Sequence, residues 1–363
     1  MARRRTVFME AERVRASRNG AIRLCIVVAA VVMAAGCATQ LRQPGVSTDA
    51  VERERFEQQK LAVQMAIDRQ VRVWGVGHRL RRAGADLCGS DVRYSFGFFA
   101  VGRDMFPDEM HAAVAALGVE DGVVVWSVLA DGPANGELQE GDRIVRVQDR
   151  AVDGVEEFIK AARDPFETGD MSLRVGGDDG TSRDLVLRGI KICEYPVAVI
   201  DDDSVNAMAD GSRVIITNGM VRFAESNDQL ALVVGHEIAH NSLGHITQMR
   251  AQTAIGVLAD LAVTVFTGVS TSLFTELARR AFSQEMEADA DYMGLYLASR
   301  AGYEIRNASM FWRRMAIEHP GSIRGSMLST HPSSPERAVM LDRTVEEIEE
   351  KRRRGEALIP HEQ

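Results

Sequence analysis

The spacing of apolar and polar positions changes several times along the chain. A basic stretch from Arg3 to Arg23 leads into an apolar run over residues 24–35. That run is shorter than the about 20 residues that a membrane-spanning helix needs. A helix is expected over residues 56–82 and a short one from residue 110. Residues 123–126 and 144–147 then read as strands, punctuated by Gly-Pro, Asn-Gly and Gly-Asp turns. A helix near 155–163 and strands at 171–175 and 184–187 complete this β-rich stretch. Further on the spacing turns helical: Leu230, Val233, Val234, Ile238 and Leu243 recur at helix intervals, and a second helix falls within 282–303. Residues 346–363 form a charged tail, read most simply as a solvated helix. The pattern predicts an α+β protein, with a mainly helical core, a short edge-strand sheet and a small β-rich insertion.

Composition narrows the class. With 45% apolar and 26% charged residues over 363 positions, the chain is globular. Its net charge of −9 argues against a general nucleic-acid binder. Residues 1–36 carry seven Arg and two Glu, so their +5 conceals −14 over the rest. A basic segment, a short apolar run and small residues before a cut site describe an export signal. Ala34-Ala35-Gly36-Cys37 resembles the bacterial lipobox, although Leu is commoner at the position of Ala34. Cys37 is therefore the expected lipidation site, residues 1–36 a signal peptide and 37–51 a tether. Plain secretion or an uncleaved anchor is the alternative. Ala38 after that Cys favours the outer membrane of a two-membrane cell, facing the periplasm. Cys88 and Cys193 remain, and in an oxidising compartment they can pair; two buried thiols are the alternative.

Residues 98–189 resemble the PDZ domain of HtrA-like proteases, most closely in DGPANGELQEGDRIVRV. The resemblance implies capture of an extended peptide as a strand added to a sheet edge. A degenerate module serving as a spacer is the alternative. The carboxylate-binding loop should lie near residues 95–101, where no clear signature stands.

The chemistry lies in the second half. His236-Glu237-Ile238-Ala239-His240 is an HExxH motif on the first of the two C-terminal helices. Residues four apart fall about 40° apart around a helix, so both imidazoles can meet one zinc ion, and Glu237 can take a proton from its water. Alone the motif is suggestive, since a buried helix with satisfied histidines would look the same. A third ligand is needed. The metzincin pattern fails, because Leu243 and Ile246 hold the positions of its Gly and His; His245 points off the ligand face and is read as a residue supporting a ligand or lying at the surface, not as a ligand. The second helix offers Glu285 and Asp289, four apart in an ExxxD pair. Glu287 lies about 200° around from Glu285. Glu285 is thus the expected ligand, and Asp289 the acceptor that orients a ligating His.

Taken together, these motifs resemble the HtpX/BepA-type peptidases, a family that includes the CAAX prenyl proteases. The resemblance covers residues 190–345: the turn over 205–211, the strand over 213–218, HExxH, EMEAD and Thr330-His331-Pro332 leading to Arg337. It implies one zinc per chain held by His236, His240 and Glu285, with Glu237 as general base and Arg337 supporting the acidic residues. It also implies that His331 can approach the zinc and hold the enzyme inactive; a helix-capping turn is the alternative. His331 and Tyr292 are candidates for stabilising the oxyanion. Substrate is expected to add along the strand over 213–218. Residues 254–275 are apolar enough to suggest a membrane span, but Asp260 and several Thr, Ser and Gly favour a lid or hairpin over the cleft. The domains expected are thus a helical part of the peptidase over 52–97, the PDZ-like module over 98–189 and the metallopeptidase core over 190–345. The expected substrates are misfolded or stalled envelope proteins, with contacts to the envelope assembly machinery. The competing reading is a chaperone-like assembly factor with latent proteolysis.

Overall fold

The structure, a computed structural model, describes residues 44–176, 180–267, 271–272, 284–318, 331 and 335–361. The expected signal peptide and Cys37 lie outside the described residues.

The first element, α1 (Thr48–Ala83), has Asp49 in its first turn and Arg81 and Arg82 in its last, each suited to the helix dipole. From Phe56 onward it belongs to the compact unit 56–363. Its apolar residues are used in two groups. Val63 and Ile67 join Val101, Ala113, Val114, Val119 and Val124 in one core. Val73, Val76 and Leu80 join a larger core with Met220, Leu230 and Leu297.

The chain then enters β1 (Val92–Ser95), β2 (Phe98–Gly102), α2 (His111–Ala116), β3 (Val123–Val128), β4 (Arg143–Val147) and β5 (Arg150–Ala151). It continues through α3 (Val155–Ala161), α4 (Arg163–Thr168), β6 (Asp170–Gly176), β7 (Ser182–Arg188) and β8 (Ile190–Cys193). Six of these strands form one sheet of order β2-β3-β4-β6-β7, with β5 paired to β4. Strand β6 alternates buried Met171, Leu173 and Val175 with more exposed neighbours, as a half-buried strand must. Those residues pack with Val123, Val125, Ile144 and Phe158 in a core drawn wholly from residues 96–187. The way in and the way out run side by side: β1 pairs antiparallel with β8, Val92 opposite Cys193. A disulfide joins Cys88 to Cys193 at the same place, and Arg81 Nε donates to the Cys193 carbonyl at 2.8 Å.

Beyond it, β9 (Val197–Ile200), β10 (Ala207–Ala209) and β11 (Val214–Thr217) make a three-stranded sheet of order β10-β11-β9. The strand expected to receive substrate, β11, is therefore central. It is antiparallel to β10 and parallel to β9, so its backbone groups are taken on both sides. The edge nearest the helices that carry the motif is β10, whose Ala209 packs with Ile246, Met249 and Met286.

The remaining elements are α5 (Asn218–Phe223), α6 (Asn227–Ser242), α7 (His245–Thr267), α8 (Gln284–Arg300), α9 (Ala308–Glu318) and α10 (Pro335–Arg354). Ser226 caps α6 by accepting from Gln229 N. Residues 254–267 continue α7, with Ile255, Leu258, Leu261 and Val265 exposed. Among the described residues no helix is long and apolar enough to cross a membrane. The charged tail is less solvated than its composition suggests: Ile348 is fully buried, and Lys351 donates to Tyr296 Oη and to the Ile359 carbonyl, both at 2.7 Å.

Candidate metal centre

Helices α6 and α8 cross where each carries a glycine. A Cβ on Gly235 would lie 2.9 Å from the Gly294 carbonyl oxygen, and one on Gly294 would lie 2.8 Å from His236 N. No other residue allows backbones this close. The contact brings the HExxH turn of α6 against the acidic turn of α8.

His236, His240, Glu287 and His331 converge there, and their candidate ligand atoms all lie within 4.8 Å of one another. His240 Nε2 is 3.0 Å from His236 Nε2. Glu287 reaches both imidazoles, Oε1 at 3.4 Å from His240 Nε2 and Oε2 at 3.6 Å from His236 Nε2. His331 Nδ1 is 2.8 Å from Glu287 Oε1 and 3.3 Å from His236 Nε2. The two motif histidines and Glu287 are all at most 2% exposed.

The structure corrects the expected acidic pair by two residues. Glu285 and Asp289 are both exposed and stand outside the cluster. Glu287 and Asp291 take their places. The reason is helical phase: Glu287, Asp291, Gly294 and Ala298 lie on one buried stripe of α8, the stripe that meets α6. Asp291 Oδ1 lies 2.9 Å from His236 Nδ1. Arg337 on α10 binds Asp291 through Nε at 2.6 Å and a second nitrogen at 2.9 Å, and its third nitrogen is 3.2 Å from Glu287 Oε2. Its guanidinium also lies 4.4 Å over the ring of Trp312, which in turn stands 5.1 Å from His236 between centroids. Nothing in the sequence around Trp312 pointed to this role.

Two further residues are placed. Of the two readings of His245, the structure favours a residue behind a ligand over a surface one: it is 3% exposed, with Nδ1 3.0 Å from His240 Nδ1. Tyr292 is committed elsewhere, its hydroxyl donating to Glu347 Oε1 at 2.7 Å and accepting from His361 N.

The electrostatics suit a cation. Burial would raise the Glu287 carboxyl, but His331, His240 and His236 hold it well below the usual carboxylate range. Burial lowers His240 to about 3. Ionised carboxylate and neutral imidazole are the forms that bind metal. Desolvation lowers His331, yet Glu287 and Glu237 outweigh it and raise it to about 9. The protein's own charges thus call for one positive charge among these groups. Glu237 is 2% exposed, and its Oε2 has no hydrogen-bond partner among the described residues. A buried carboxylate oxygen is costly to leave so, and a water or substrate proton would satisfy it. Two buried imidazole nitrogens and a carboxylate, with further groups holding the far side of each ligand, fit a catalytic zinc site.

Comparison with known proteins agrees with this geometry. The mitochondrial metalloendopeptidase OMA1 of Arabidopsis thaliana is 25% identical over 226 residues, which are 60% of this chain and 46% of that protein. The Schizosaccharomyces pombe OMA1 is 31% identical over 176 residues, 47% of this chain and 52% of its own. The beta-barrel assembly-enhancing protease of Escherichia coli is 27% identical over 150 residues, 37% of this chain and 31% of its own. The chain thus spans about half of these relatives' length or less. Residues 183–345, which hold every member of the cluster, match the model of Peptidase family M48.

Proposed function

We propose that the protein is a zinc-dependent metalloendopeptidase of the bacterial cell envelope, holding one zinc ion through His236, His240 and Glu287. The observation that carries this reading is the convergence of these three ligands beside the unpartnered Oε2 of Glu237. Bound zinc would polarise a scissile carbonyl and acidify a water. Glu237 receives the proton from the attacking water and passes it to the leaving amine. Asp291 faces His236 Nδ1 as its charged neighbour, and Arg337 holds Asp291 and Glu287 in place. An extended substrate adds as a strand to β10, the edge of the small sheet beside α6.

His331 is the fourth member of the cluster. A catalytic zinc keeps one position open, and a further imidazole from this cluster would fill it. We read His331 as a self-inhibiting switch.

The sheet over 98–189 reads as a PDZ-like module. Its strand β2 is an end of the sheet, and α3 lies beside it with Phe98 against Phe158, 5.9 Å between centroids. A peptide would add in the groove between them. Lipidation at Cys37 would hold the chain at the outer membrane, facing the periplasm. There its substrates would be misfolded or stalled envelope proteins. The name of the Escherichia coli relative supports a link to envelope assembly.

The test joins metal content to activity. Wild type and Glu285→Ala should each hold one zinc per chain, Glu287→Ala should lose it, and Glu237→Gln should keep it while losing hydrolysis of an unfolded protein. Zinc retained in Glu287→Ala and lost in Glu285→Ala would refute the ligand set. Full biological function of the Glu237→Gln chain would favour the second reading, a chaperone-like assembly factor that binds peptides at the sheet.

A further inference from the structure

The two motif histidines are held from behind by different groups. His236 backs onto the carboxylate of Asp291, whereas the group behind His240 is another imidazole. We propose that His245 is a positioning residue that accepts the Nδ1–H of His240 and fixes that ring with its Nε2 turned to the metal. The inference rests on the reading of His236, His240 and Glu287 as zinc ligands.

A neutral imidazole has one donor nitrogen and one acceptor. His240 Nε2 faces the cluster, 3.0 Å from His236 Nε2 and 3.4 Å from Glu287 Oε1. To offer a lone pair there, the ring must carry its proton on Nδ1. The atom facing Nδ1, at 3.0 Å, is Nδ1 of His245, which must then be an acceptor with its own proton on Nε2. The two rings meet nearly edge to face, 5.1 Å between centroids and 70° between planes. The nitrogen–nitrogen contact between them has hydrogen-bond geometry.

The backbone fixes the arrangement. Helix α6 ends at Ser242, and Gly244 adopts φ +70°, a left-handed turn that a side chain would strain. His245 is the first residue of α7, so the sharp turn brings it back under the last turn of α6. There it is 3% exposed. An imidazole buried at this place against a ligating ring does what a carboxylate or carbonyl does behind other zinc-bound histidines. It selects the tautomer without adding a fourth carboxylate to a site that already holds Glu237, Glu287 and Asp291.

Zinc affinity of the full chain by chelator competition, with the visible spectrum of the cobalt-substituted chain, tests the assignment. His245→Asn keeps an acceptor oxygen close to the position of Nδ1. His245→Leu fills similar space with none. His245→Leu should weaken zinc binding about 10- to 100-fold. His245→Asn should recover most of that loss and restore the wild-type cobalt bands. Folding of each variant is checked by circular dichroism. Unchanged affinity in His245→Leu overturns the proposal, and so does equal weakening in both variants, which would make His245 a packing residue. A wild-type chain that binds no zinc overturns the ligand assignment itself, and the wild-type arm separates that failure from the other two.

Discussion

His78 is 2% exposed on α1, and neither of its ring nitrogens has a hydrogen-bond partner among the described residues. Burial first, and Arg81 next, lower its pKa from the ordinary 6.5 to about 4. A group whose folded pKa is depressed contributes stability above its unfolded pKa. That contribution is lost as pH falls from 6.5 through about 4. The linked loss is about 3 kcal/mol. Urea melts near neutral pH and near pH 4 should show it in wild type, and His78→Phe should lose less stability between the two. An equal loss in both chains would place the acid sensitivity elsewhere. At the zinc site, His331→Ala should raise the basal rate of peptide hydrolysis several-fold without lowering zinc content. An unchanged rate would remove the switch. The same scale shows what the sequence could and could not tell. The HExxH histidines were legible because one helix alone sets their geometry. The segment EMEADAD contains two acid pairs with the same spacing, Glu285/Asp289 and Glu287/Asp291, and spacing cannot choose between them. A signal did exist: counting seven and eleven residues on from Glu287 gives Gly294 and Ala298, a small-residue stripe suited to close packing, whereas Glu285 leads to Tyr292 and Tyr296.

At the scale of elements, the crossing of α6 over α8 decides whether the ligands meet. Its closeness depends on Gly235 and Gly294, where an added Cβ would collide with backbone atoms that cannot step aside. Gly294→Ala should force the helices apart and cost about 1–3 kcal/mol. It should weaken zinc binding with no ligand changed. Gly75→Ala is the control, since a Cβ there meets nothing within 4 Å in the middle of α1, and it should be neutral or slightly stabilising. Similar melting temperatures and zinc affinities for the two variants would show that the crossing tolerates a wider gap. The order of the small sheet was beyond the reach of the sequence for a related reason. Strands of three or four apolar residues over 197–217 carry no mark of which one sits in the middle. The edge position of β10 follows from its antiparallel pairing with β11 and from the parallel return of β9, which are long-range facts.

For the molecule as a whole, the telling feature is that α1 serves two cores while the sheet between its partners enters and leaves at one point. Residues 88 and 193 are joined there, and their Cα atoms are 5.7 Å apart. Translation gives this arrangement an order. Helix α1 is made first, the sheet core over 96–187 can close as soon as its own residues exist, and the larger core must wait. Ala83 receives the hydrogen bond of Arg300 only after 217 more residues. The metal cluster also draws on the late part of the chain: its histidines come at 236 and 240, its carboxylate at 287 and its fourth member at 331. The arginine that steadies the acidic pair follows at 337. A chain interrupted during synthesis can therefore own a finished sheet and an incomplete metal cluster. The cluster draws on the late part of the chain, so on the proposed reading a half-made copy would have no means of digesting its neighbours.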